Sequence, residues 1–154
     1  MMNPHQGEVD GAGRIAFLVP LPPRALRRNT ATVERENPKP GQSKRRSVHW
    51  SERAALKRQY QEDVWCAGYV RGGRGCPWER ARLTLEWRHA GIAPDQDNAL
   101  ASLKSLIDVL HCKSNRPLGI VVDDSPEHLR IEPVQCVKVK HRADEGVYVE
   151  IEKL

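Results

Sequence analysis

Asp95 and Asp97 stand two residues apart in the run Pro94-Asp95-Gln96-Asp97-Asn98. Lys104 and Asp108 follow, and Asp123-Asp124 come after the next apolar run. Carboxylates gathered in one place repel one another, and a hard divalent cation is the usual means of offsetting that charge. Mg²⁺ suits oxygen ligands, typically takes one or two carboxylates, and keeps waters and room for a substrate phosphate. On a chain of net charge +5, this set points to metal-assisted phosphodiester hydrolysis.

Helical geometry brings part of the set together. Asp97, Lys104 and Asp108 are seven and then four residues apart. At about 100° per residue they fall within roughly 40° of one another on a helix. A helix from Asn98 to Leu110 would carry them on one face. Its apolar stripe, Leu100, Leu103, Ile107 and Leu110, would pack on a sheet. The competing reading is a plain Lys104–Asp108 ion pair with Asp97 as helix N-cap.

The remaining elements must hold that helix. Arg14 to Leu21 reads as a strand ended by Pro20 and Pro22-Pro23. A helix runs from Val48 to Gly68, with Leu56, Tyr60, Val64 and Ala67 at helical intervals and Gly68 as its C-cap. The run Gly72-Gly73-Arg74-Gly75 is a connector without a Walker-type ending. Ala81 to Arg88 alternates Leu83, Leu85 and Trp87 with polar residues, the pattern of a half-buried strand. Ile120-Val121-Val122 is a short buried strand that delivers Asp123 and Asp124. Leu129 to Lys140 and Val147 to Glu152 are two further strands joined by a turn at Asp144-Glu145-Gly146. The order β-α-β-α-β-β-β predicts an α+β fold, a compact mixed β-sheet with two main helices packed on it.

At 154 residues, 39% hydrophobic and 29% charged, the chain is expected to form one soluble globular domain over residues 14–154. Residues 1–13 are polar and are expected to form a disordered leader without a signal peptide. The longest apolar run, Ile15 to Leu21, cannot span a bilayer, so the expected place is the cytoplasm and no membrane partner is expected. Cys66, Cys76, Cys112 and Cys136 form no C-x-x-C pair and read as reduced, structural thiols. Neighbouring His111 and Cys112 rarely ligate one ion together.

The positive charge is uneven. Residues 1–50 hold nine Lys and Arg against four Asp and Glu, and residues 51–154 hold sixteen of each. The excess lies at Arg24, Arg27, Arg28 and Lys44-Arg45-Arg46, in a segment, 24–47, expected to be a flexible basic loop. Such charge attracts polyanions and contacts phosphates without reading sequence. These six are the candidate DNA-binding residues.

The residues assembled resemble the RusA family, crossover junction endodeoxyribonucleases that resolve Holliday junctions and are common in phages and prophages. The resemblance covers Ile15 to Leu154 and rests on Leu21-Pro22-Pro23, on Asp95 to Asn98, on Lys104, Asp108 and Leu110, and on Asp123-Asp124. It implies a RusA-like fold, a homodimer acting on four-way DNA junctions, and Mg²⁺, with Mn²⁺ as a substitute. It implies Asp95 and Asp97 as metal ligands and catalytic residues, Asp124 as third ligand with Asp123 the close second, and Lys104 stabilising charge on the phosphate or leaving oxygen. The family's compact form has its lysine three residues after the asparagine, where this chain has Ala101; Lys104 comes six after Asn98. Three residues nearly complete a helical turn, which returns the lysine to about the same face.

Other functions remain open on sequence alone. One is a non-catalytic protein of the same fold that binds branched DNA. A second is a Mg²⁺-dependent nuclease acting on other DNA structures, and a third is an interaction protein whose acids serve caps and surface ion pairs.

Overall fold

The computed structural model describes residues 13–28, 32–69, 77–114 and 117–154. The expected leader, apart from Gly13, and the connector Gly72–Gly75 lie outside these residues. The architecture is mixed α+β, with one main sheet and three α-helices on the described residues.

The centre of the sheet is β4 (Ala81–His89), whose residues alternate between buried and half-buried. One edge of β4 pairs antiparallel with β7 (Gly146–Lys153), which in turn pairs antiparallel with β1 (Arg14–Val19). The other edge pairs parallel with β5 (Leu129–Ile131) and, further along, β6 (Gln135–Lys138). Period-two alternation puts Ile15, Phe17, Leu83, Leu85, Trp87, Val149 and Ile151 on the buried face. The opposite face carries cross-strand ion pairs, Arg14 with Glu150 and Arg82 with Glu152.

The structure divides two expected elements. The run expected as one strand from Leu129 to Lys140 is two, because Pro133 lies between them and has no N–H to give the ladder. The expected turn at Asp144 to Gly146 does not join paired neighbours, since β4 separates β6 from β7. Val121 makes isolated parallel bridges to Trp78 and His111 in place of the expected strand.

The helix expected from Asn98 to Leu110 is also divided, into α2 (Gln96–Ser102) and α3 (Lys104–Leu110), with Leu103 between them at φ −93°, ψ 3°. Ser102 is the physical cause. Its buried hydroxyl donates to the Asn98 carbonyl at 2.6 Å and accepts the Arg28 N–H at 3.2 Å, and such back-bonding bends helices. The described residues therefore carry three α-helices where two main ones were expected.

α1 (Trp50–Tyr69) packs Tyr60, Val64 and Gly68 inward, and the Tyr60 hydroxyl donates to the Pro20 carbonyl at 3.1 Å. Gly68 is not a cap. It lies inside the helix, where an added Cβ would stand 2.5 Å from the Leu118 side chain and 3.2 Å from Phe17. The segment expected as an aperiodic loop carries a one-turn 3₁₀ helix at Arg24–Leu26. It also carries a two-stranded sheet, β2 (Thr32–Glu34) antiparallel to β3 (Arg45–Ser47).

Gly146, at the start of β7, is held by close approach. A Cβ there would meet the Val19 carbonyl oxygen of β1 at 2.8 Å. The Gly146→Ala variant should lose about 1–3 kcal/mol of stability, measured by urea unfolding, because backbone in a paired strand cannot yield as a side chain can. An unchanged midpoint would show that β1 shifts freely.

Candidate functional site

α3 sets the site. Its buried side chains Leu106, Ile107, Val109 and Leu110 pack into the core, each large one contributing about 2 kcal/mol by burial. That leaves Lys104 and Asp108 on the outer side. The chain then returns along α3: the Leu118 N–H donates to the Val109 carbonyl at 2.8 Å and the Ile120 N–H to the Leu110 carbonyl at 3.1 Å. This return brings Asp123 and Asp124 alongside.

The convergence centres on one ammonium group. Lys104 Nζ lies 2.9 Å from Asp124 Oδ2 and 3.0 Å from Asp108 Oδ1. Those two hydrogen bonds hold its pKa above the usual lysine value, that to Asp124 contributing most. Lys57 of α1 reaches the other Asp108 oxygen at 3.7 Å. An open cleft of about 550 Å³ adjoins the group, with Arg28, Asp97, Lys104 and Asp124 as its polar wall. Leu100, Ala101, Ile107 and Ile131 form the apolar wall. Leu100 was expected in the packing stripe; it is 41% exposed, because the helix bends after Ser102.

Asp97, Lys104 and Asp124 are thus brought together, while Asp95 and Asp123 are engaged elsewhere. Asp95, not Asp97, is the N-cap of α2. Its carboxylate accepts the Asn98 N–H at 2.8 Å and the Asn98 side-chain amide at 2.9 Å. Each oxygen keeps a further lone pair, so capping does not exhaust the group. Asp123 accepts from Lys113 Nζ at 2.8 Å and from the Asp124 N–H at 2.9 Å. The lysine bond, first among the causes, holds its carboxyl below the usual range.

Asp108, His111 and Asp124 each place one ligand atom within 4.8 Å of the others, a group that could hold a metal ion. The Lys113 N–H donates to His111 Nδ1 at 3.1 Å, which leaves the proton of a neutral ring on Nε2. Nε2 faces Asp124 at 4.0 Å. Ligation through Nε2 would need the other neutral tautomer, with the proton on Nδ1. Asp108 and Asp124 offer hard oxygen donors that already converge on a cation in the form of Lys104, and Asp97 lines the same cleft as Asp124 without belonging to that group.

His111 carries no sequence signal of its own: the six histidines are scattered singly, and only the fold sets this one near Asp124. Cys112 and Cys66 are exposed and free, Cys136 is half-buried and free, and Cys76 lies outside the described residues. No sequence signal marked Ser102, Lys57 or Lys113.

The six basic candidates divide. Arg24, Arg28, Lys44 and Arg45 are exposed, and Arg28 reaches the cleft. Arg27 packs inward: its Nε donates to the Pro22 carbonyl at 2.7 Å and its guanidinium lies 5.5 Å from the Trp87 ring. Burial, then neighbouring Arg24, pushes its pKa down. Arg46 forms a bidentate pair with Glu52 at 2.9 and 2.7 Å, joining β3 to the first turn of α1. That pair, then the His49 N–H, lowers the Glu52 pKa to about 2. Arg27 and Arg46, both half-buried, are thus engaged within the protein where they had been expected as free basic side chains.

Among the described residues no helix is long and apolar enough to cross a membrane. No protein-family model and no curated protein matches the chain.

Two outcomes follow from these contacts. The Asp95→Ala variant should lose roughly 1 kcal/mol of stability through the missing cap, and Asp95→Asn should retain most of it; thermal unfolding reads both. Glu52 titrates lower in the folded state than its ordinary 4.5, so its contribution is complete above that value and is lost as pH falls towards about 2. Across this window Glu52→Gln should flatten the fall in Tm with pH. Identical slopes would show that the pair contributes nothing.

Proposed function

We propose that this chain is a metal-dependent, structure-selective endodeoxyribonuclease of the RusA kind, resolving four-way DNA junctions by paired nicks. The observation that carries the reading is the convergence of Asp97, Lys104 and Asp124 on one cleft from α2, α3 and the return segment, with Arg28 beside them. Paired nicks across a two-fold junction need two sites, so the reading carries a homodimer, and a DNA substrate places it in the cytoplasm.

Asp108 and Asp124 would hold Mg²⁺, or Mn²⁺ in its place, with Asp97 in the cleft lining and Asp95 within the same turn of chain as further oxygen donors. Bound there, the ion supplies an activated water and polarises the scissile phosphate. Lys104, kept protonated by its two aspartates, stabilises negative charge developing on phosphoryl oxygens. Arg28, on the same polar wall, would orient the phosphate. Arg24, Lys44 and Arg45 add backbone contacts that give affinity and position without sequence reading.

A second reading has its own observation. Lys104 balances Asp108 and Asp124 without a metal, and Lys113 balances Asp123. A protein so balanced could bind branched DNA and never cut it.

Incubation with a labelled synthetic four-way junction and a matched linear duplex, in Mg²⁺ and in EDTA, separates the two. Paired nicks confined to the junction and dependent on Mg²⁺ are expected, with Asp97→Asn reducing them by more than ~10²-fold while junction binding persists. Mg²⁺ should also raise Tm, as any ligand that binds only the native state must. Binding without cleavage, and a Tm indifferent to Mg²⁺, would establish the second reading; cleavage by Asp97→Asn at the parent rate would remove the site assignment.

A further inference from the structure

Trp50, the first residue of α1, is 76% exposed. Leaving a large indole in water forgoes roughly 1.5–3 kcal/mol of burial. Its place on the helix is informative. Val64, fourteen residues on, is fully buried, and the two lie within ~40° in helical phase. The face of α1 that is buried at Val64 is therefore open to solvent at Trp50.

Arg53 and Lys57 share that face. They follow Trp50 by three and seven residues and are exposed, within ~60° and ~20° of it in phase. Lys57 ends the row at the acidic group, 3.7 Å from Asp108. The rise from Trp50 to Lys57 is ~10 Å. Just before the helix, exposed Lys44 and Arg45 add charge of the same sign. The His49 ring lies 5.5 Å from the indole, tilted by 39°, so two π-faces stand together.

We propose that Trp50, Arg53 and Lys57 form a track for a single strand of DNA, with an unpaired base stacked on Trp50 and the backbone led along α1 towards the acidic cleft. Aromatic faces beside a row of cations are what binding of unpaired strands requires: stacking holds the base and the cations hold the phosphates. The proposal rests on DNA being the substrate. It adds that the chain holds bases unpaired at a branch point, about 10 Å along α1 from the acidic group.

The test is binding by the full chain in EDTA, where nothing is cut. Fluorescence anisotropy would follow a dye-labelled twelve-residue oligothymidylate and a dye-labelled duplex. Trp50→Ala should weaken the oligothymidylate about ten-fold and leave the duplex within about two-fold, and Trp50→Phe should recover most of the loss. Oligothymidylate should quench the parent's indole fluorescence, and Trp50→Ala should lose that quenching. Arg53→Gln with Lys57→Gln should flatten the salt dependence of binding. Equal affinity of Trp50→Ala and parent, equal loss on both DNAs, or a parent without affinity for oligothymidylate would each overturn the track. A chain that binds this way but never cuts junctions keeps the track and loses the nuclease reading. Junction cleavage with Trp50→Ala at parental oligothymidylate affinity does the reverse.

Discussion

Two carboxylates held by different segments at nearly the same point need a positive charge between them. Here that charge is the Lys104 ammonium, bonded at once to Asp108 on its own helix and to Asp124 on the returning chain. The contact joins α3 to the return segment and fixes one wall of the cleft. Lys104 is largely exposed, so solvent screens the interaction and its contribution to stability is small. Its importance is geometric: it decides where the two acids point.

The apolar interior holds that geometry. Leu106, Ile107 and Leu110 anchor α3, while Leu118, Ile120 and Val121 anchor the return. Backbone hydrogen bonds between the two runs, ending with Cys112 N–H to Val121 O at 3.1 Å, fix their register. Val121 also bridges to Trp78, just before the central strand. The polar site is therefore built on the rim of a well-packed core. Its own polar contacts need only choose among orientations that the core already allows.

Much of this was legible. Alternation in Ala81 to Arg88 gave β4, and the period of Leu56, Tyr60 and Val64 gave α1, because both patterns report burial directly. The acidic grouping was readable for a similar reason, since carboxylates so spaced need explanation. What escaped notice depended on single polar contacts. The back-bond of Ser102 divides a run whose apolar pattern reads as one helix. The capping role fell to Asp95, two residues earlier than expected, because α2 begins at Gln96. Arg27 and Arg46 counted as free charge in the sequence, but their partners, Pro22, Trp87 and Glu52, are fixed only by the fold. His111 became visible only when the return segment placed Asp124 near it.

Leu103 has a consequence for how the acidic run and the lysine are coupled. At φ −93°, ψ 3° it departs from helical values near −63°, −42°. Its N–H still donates to the Ala99 carbonyl at 3.1 Å, and its carbonyl accepts the Ile107 N–H at 3.0 Å. The run bends at one residue and keeps its hydrogen-bond ladder, so α2 and α3 carry Asp97 and Lys104 on one jointed rod. A residue gained or lost in α2 would turn Asp97 by about 100° relative to Lys104, and would take one of them out of the cleft they share.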